Sequence, residues 1–160
     1  MIKFDSLREH SFLPKFSEKS VIIDMGAFYG EFSKQFSQKY PYKKIIIIEA
    51  NPYFIKKIKK NLQNISNIEI TNTIICADTK SEVTFYINST IMEASSKFLE
   101  FAQVGGFKKK NYKIEPDIIS VKDSEKVKVS SITLKDIYKK YNLNKIDLIK
   151  MDIEGAEIEA

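Results

Sequence analysis

Two spacings of apolar residues organise the chain. "VII" at 21–23 and "IIII" at 45–48 are short uninterrupted runs, each closed by an acid, Asp24 and Glu49. Runs of this kind fit strands buried on both faces of a parallel sheet. Between them, Phe32, Phe36 and Tyr40 recur at every fourth position from Glu31 onward, one face of a helix. Pro41 ends it, since proline disfavours helical backbone in the residue before it. After Glu49, Asn51 supplies a helix cap and Pro52 the first helical position, and Phe54 or Ile55, Ile58 and Leu62 continue a buried stripe. "NIEITNTIICAD" predicts a third strand over 68–76. Strand, helix, strand, helix, strand at these spacings predicts right-handed crossover units on a parallel sheet.

The register changes after Asp78. "SEVTFYIN" predicts an added strand, a hairpin partner for another. Residues 88–126 are polar and mixed, without repeat or low complexity, and are expected to be an insertion over one end of the sheet, where substrate loops lie. Thr133 with Asp136 three residues on resembles a capping box, and Leu134, Ile137, Tyr138 and Tyr141 give the helix behind it a buried face. A fourth strand over 146–151 ends at Asp152. The whole of 1–160 is expected to be one domain.

Composition narrows the function classes. With 43% hydrophobic residues the chain can form a sizeable core. No apolar run is long enough to span a membrane, and "MIKFDSLREHSFLPKF" lacks the apolar stretch of a signal peptide. A single cysteine, Cys76, allows no internal disulfide, so a cytoplasmic location is expected. The net charge of +5 invites a nucleic-acid reading. Only Arg8 among the 26 basic residues is arginine, however, and the lysines are dispersed, which predicts a solvated surface and no nucleic-acid partner.

"VIIDMGAFYG" carries the first chemistry. A dinucleotide loop needs G-x-G-x-x-G so that a pyrophosphate can approach bare backbone. Started at Gly26, that template meets Phe28 at its second glycine and Glu31 at its third, and Asp24 adds negative charge. The loop therefore suits a ligand without phosphates and with a cationic group. S-adenosylmethionine is such a ligand. Asp24 would favour its cationic end, Gly26 and Gly30 would give the backbone room, and the helix start after Gly30 would accept its carboxylate. Glu49 would take both ribose hydroxyls, and the third strand's end, Cys76 and Ala77, would border the adenine. Ala27 and Phe28 within the loop, and Ala50 and Asn51 after the ribose acid, belong to the same expected site. "NPYF" at 51–54 mimics an amino-methyltransferase signature, but it follows the second strand and reads as a helix start.

If the first and fourth strands are neighbours, Asp152 and Glu154 of "MDIEGAE" stand beside the transferable methyl. A carboxylate there could accept the proton of an attacking hydroxyl, orient that hydroxyl, or hold a divalent metal. No metal ligand set is assigned. Glu154 and Glu157 equally suit the start of a helix, whose dipole favours acids. His10, the only histidine, precedes the core and is expected at the surface rather than as the base.

"VIIDMGAFYGEFS", "IIIIEANPYF", "VKVSSITLKDI" and "IDLIKMDIEGAE" together resemble the FkbM-type family of class I methyltransferases, over 21–87 and 127–158. The resemblance implies an α/β, Rossmann-like, mostly parallel sheet in three α/β/α layers, S-adenosyl-L-methionine as methyl donor, and O-methylation of a hydroxyl on a sugar, polysaccharide or natural product. It carries over Asp24, Gly26 and Gly30 as the cofactor loop, Glu49 as the ribose ligand, and Asp152 with Glu154 as the active site. "EASSKF" at 93–98 is similar to a serine-bearing segment of the family, with Ser95 and Ser96 toward substrate. The family continues with about three further strands, so this chain is expected to be truncated, with a bare sheet edge and weak or no turnover. The alternatives are a nicotinamide-dependent sugar oxidoreductase or epimerase, and a non-catalytic fragment of the methyltransferase fold.

Overall fold

The structure, a computed structural model, describes residues 3–80, 82–88 and 124–153. Glu154, Glu157, Ser95, Ser96 and most of the 88–126 segment lie outside the described residues. In chain order the elements begin with a short hairpin, β1 (Asp5–Leu7) and β2 (His10–Phe12), followed by β3 (Val21–Met25), α1 (Glu31–Lys39), β4 (Lys44–Glu49) and α2 (Pro52–Asn61). Then come β5 (Ile68–Asn72), β6 (Ile74–Ile75), β7 (Val83–Asn88), β8 (Ser124–Val129), β9 (Ser131–Ile132), α3 (Leu134–Lys140) and β10 (Leu148–Met151).

Four of these strands form an all-parallel sheet in the order β10-β3-β4-β5. The central pair consists of the two apolar runs, and the pleat sends alternate residues to opposite faces. Ile22, Ile45 and Ile47 meet Phe32, Phe36, Phe54 and Ile58 from α1 and α2 on one face. Ile23, Met25, Ile46 and Ile48 meet Ile137 of α3 on the other. The result is the expected three-layer α/β/α arrangement. Its first and fourth predicted strands are direct neighbours, with Lys150 in register with Asp24. Among the described residues no helix is long and apolar enough to cross a membrane.

The helix caps are where side-chain chemistry puts them. Asn51 Oδ1 accepts from the Tyr53 N–H at 3.0 Å, with Pro52 at the first position of α2. Thr133 accepts from the Asp136 N–H at 3.0 Å, and its hydroxyl donates back to the Asp136 carboxylate at 2.8 Å.

Four expectations change. The third strand does not run unbroken over 68–76. It breaks at Thr73, whose N–H donates to Glu49 O at 3.2 Å and whose hydroxyl donates to Ser130 O at 2.7 Å. Beyond that bend β6 pairs in parallel with β9. The partner of β7 is β8, antiparallel, so order resumes at Ser124, inside the segment expected as an insertion. The fourth strand is shorter than expected, because Asp147 bonds to Val21 through both its N–H (2.8 Å) and its carboxylate (2.9 Å) before the ladder proper begins.

The fourth change is the hairpin β1–β2, which the sequence did not predict. Leu7 and Phe12 are buried in the core cluster of α1. Asp5 accepts from Lys39 Nζ at 2.8 Å and from the Tyr40 hydroxyl, tying the hairpin to the end of α1.

Candidate functional site

The loop between β3 and α1 turns through three left-handed residues, Gly26 (φ 70°), Phe28 (φ 55°) and Gly30 (φ 78°). Its amides are largely committed. The Gly26 N–H donates to Ile48 O at 2.9 Å and the Gly30 N–H to Ala27 O at 2.7 Å. The Phe28 N–H donates to Glu49 Oε2 at 2.9 Å. Phe28 itself stacks on Tyr29 and meets the edge of Phe54, with ring centroids 3.7 and 4.7 Å apart. A pyrophosphate needs free amides on this turn, and these three are not free.

Glu49 closes β4 and is 6% exposed. Its other oxygen, Oε1, accepts from the Asn51 N–H at 2.8 Å. Burial pushes the carboxyl up to about 7, against the pull of the two amide bonds. Each oxygen keeps a lone-pair direction beyond its amide bond.

Asp24 and Lys150 sit side by side on neighbouring strands. Asp24 is fully buried, accepting from Ser33 Oγ at 2.6 Å and lying 3.4 Å from Lys150 Nζ. Lys150 Nζ also donates to Gly26 O at 2.6 Å and lies 3.7 Å from Asp152 Oδ2. Asp152 is held by its backbone, its N–H donating to Met25 O at 3.1 Å, while its side chain stays half exposed.

These strand ends enclose a cavity of about 310 Å³. Gly26, Ala27 and Phe28 line it from the loop, Glu49, Ala50 and Asn51 from β4 onward, Lys150 from β10 and Asp152 from just after it. Ile48, Ile74 and Ile75 give it an apolar wall, with Thr73 beside them. The β1–β2 turn reaches over it with Arg8, Glu9 and His10.

Comparison with known families matches residues 24–160 to the Methyltransferase FkbM domain. The chain belongs to the FkbM methyltransferase family. It is similar to methyltransferase sdnD of Sordaria araneosa, 28% identical over 86% of this chain and 58% of that protein. It is similar also to methyltransferase 1 of Beauveria bassiana, 27% identical over 90% of this chain and 58% of that one. The chain thus spans under two thirds of the length of these curated relatives. Among solved structures, methyltransferase FkbM from Methylobacillus flagellatus KT shares the fold, with a TM-score of 0.52 at 16% identity over 91% of this chain and 29% of that one.

Within this FkbM domain the expected cofactor residues divide. Gly26, Ala27, Phe28, Glu49, Ala50 and Asn51 come together around the cavity, and Asp152 faces them from just after β10. Asp24 does not reach it, because Ser33 and Lys150 use its carboxylate inside the core. Both glycines stand close against neighbouring protein atoms. A Cβ on Gly26 would stand 1.9 Å from Asp152 O, and one on Gly30 would stand 3.1 Å from a Leu62 methyl. Cys76 and Ala77 lie beyond the cavity wall, because the bend at Thr73 brings Thr73–Ile75 to it instead and leaves Cys76 packed with Phe85 and Ile87. His10 is not simply a surface residue. It lines the cavity, its ring edge against Phe32 at 5.7 Å. Lys150 was the other omission: a lysine inside an otherwise apolar strand was the available signal.

Proposed function

We propose that the chain builds the S-adenosylmethionine site of an O-methyltransferase whose acceptor is a hydroxyl of a sugar, polysaccharide or natural product. The observation that carries this reading is Glu49, a carboxylate at a strand end, lining the cavity and fixed by two backbone amides. Held that way, its two oxygens suit a pair of vicinal hydroxyls. The apolar wall of Ile48, Ile74 and Ile75 suits the flat base of a nucleoside. The committed amides of Gly26, Phe28 and Gly30 disfavour a diphosphate, and with it the nicotinamide alternative.

When bound, the cofactor supplies a methyl group on cationic sulfur. The chain's part is to hold the ribose with Glu49 and to orient the acceptor hydroxyl and take its proton with Asp152 at the cavity rim. Glu154 is proposed to act beside Asp152. The names of the two curated relatives support methyl transfer, and the acceptor class follows the family resemblance.

Calorimetric titration with S-adenosylhomocysteine and, separately, NAD tests the reading. Binding of the first, lost in Glu49→Ala, is the expected result. Binding of NAD without S-adenosylhomocysteine would overturn it.

A further inference from the structure

We infer that Glu9, His10 and Asp152 form a binding site for a divalent transition-metal ion on the rim of the cavity. One ligand atom from each of the three lies within 4.8 Å of the others, although Asp152 directly follows β10 and the other two belong to the β1–β2 hairpin. Donors sharing one ion, at about 2.0–2.2 Å each, lie roughly 3–4 Å apart, so a small closure of side chains completes the set. Two carboxylate oxygens and an imidazole nitrogen form a mixed donor set that suits Mn2+ or Zn2+.

The side chains are available for this. Among the described residues neither Glu9 nor His10 makes a side-chain hydrogen bond, and their contact with each other is 3.9 Å. The edge contact with Phe32 fixes the His10 ring, while Glu9 is largely exposed. Asp152 is anchored by its backbone, with its carbonyl oxygen filling the space a Gly26 side chain would need.

Two cations bear on the site. Arg8 lines the same cavity, and Lys150 Nζ lies 3.7 Å from Asp152 Oδ2. Lys150 is directed mainly to Gly26 O and Asp24, which balances its charge from the inner side and leaves the outer side of Asp152 to another cation. The site shares Asp152 with the proposed acceptor role but uses neither Glu49 nor the loop, so metal binding can be tested whether or not the nucleoside reading holds.

Mn2+ and Zn2+, each alone, are titrated into the full 160-residue chain, the first followed by the electron paramagnetic resonance signal of the free ion and the second by calorimetry. One equivalent of at least one ion is expected to bind, with affinity lowered about tenfold or more in His10→Ala and in Glu9→Gln. Glu9 is a largely exposed side chain, so Glu9→Gln keeps the test decisive if His10→Ala fails to fold. Absence of stoichiometric binding of both ions, or binding unchanged in Glu9→Gln, would overturn the site.

Discussion

Lys150 hangs from the carbonyl of Gly26, its Nζ donating at 2.6 Å from a strand position in register with Asp24. One ammonium thus fastens the ligand loop to the neighbouring strand and neutralises a carboxylate with no exposure to water. Lys150→Met removes the cation and leaves Asp24 buried with Ser33 alone. The expected loss is about 3–5 kcal/mol, the usual cost of orphaning one member of a buried pair. Asp24→Asn combined with Lys150→Met should recover most of it. Urea denaturation of the two variants beside the parent chain checks this, and equal losses in the single and double variants would contradict the pairing.

Gly26→Ala is expected to destabilise more than Gly30→Ala. Both positions are left-handed, which costs an ordinary residue about 1–2 kcal/mol. At Gly26 the new methyl also collides with the Asp152 carbonyl, backbone that β10 holds in place. At Gly30 it meets the end of a Leu62 side chain, which can turn away. Thermal denaturation ranks the two, and the reverse order would show that the packing of Asp152 on Gly26 is not what constrains the loop.

The parallel strands, both helix caps and the acid at the end of β4 were legible because their signals are local. An isoleucine run, an Asn-Pro pair and a Thr with Asp three residues on each state their structure within a few positions. What was missed is decided across the chain. The β1–β2 hairpin consists of two three-residue strands in "DSLREHSF", too short and too polar to announce themselves. It docks because Leu7 and Phe12 bury against α1 and Asp5 bonds to Lys39 and Tyr40, contacts that bring His10 toward Asp152. Lys150 finds Gly26 and Asp24 more than a hundred residues away, which no window along the chain can see. The break at Thr73 had a local sign in the polar "TNT", overridden by the apolar residues on either side.

Glu49 links ligand binding to pH. Its carboxyl ionises at about 7 in the folded chain, raised mainly by burial. The unfolded chain loses this proton at the ordinary value, so between about 4.5 and 7 the folded state binds more protons than the unfolded one. Stability from this group is therefore greatest below the ordinary value and falls as pH rises through 7. Ligand binding should run the other way. Ribose hydroxyls donate best to the ionised carboxylate, so affinity for S-adenosylhomocysteine is expected to rise as pH increases from 6 to 8, with proton release on binding near pH 7. Calorimetry in buffers of different ionisation enthalpy measures that release. Affinity independent of pH in this window would show that Glu49 does not hold the ligand in its charged form.

Asp5 ties the hairpin that carries His10 to the end of α1. Hydrogen bonds from Lys39 and Tyr40 hold its carboxyl down at about 2. A depressed acid stabilises the fold above its ordinary value, and that contribution disappears as pH falls from about 4 toward 2. Because the group is exposed, water screens the interaction, and Leu7 and Phe12 keep the hairpin docked by burial. The effect of Asp5→Asn should therefore be local. Amide exchange at Leu7 and Phe12 is expected to speed up, while the amides of β3 and β4 keep their protection. The same variant should broaden the His10 ring signals in an NMR spectrum, since β2 carries that side chain over the cavity. Unchanged exchange in the hairpin would mean that its apolar contacts alone hold it against α1, and that the carboxylate has no part in setting His10 beside Asp152.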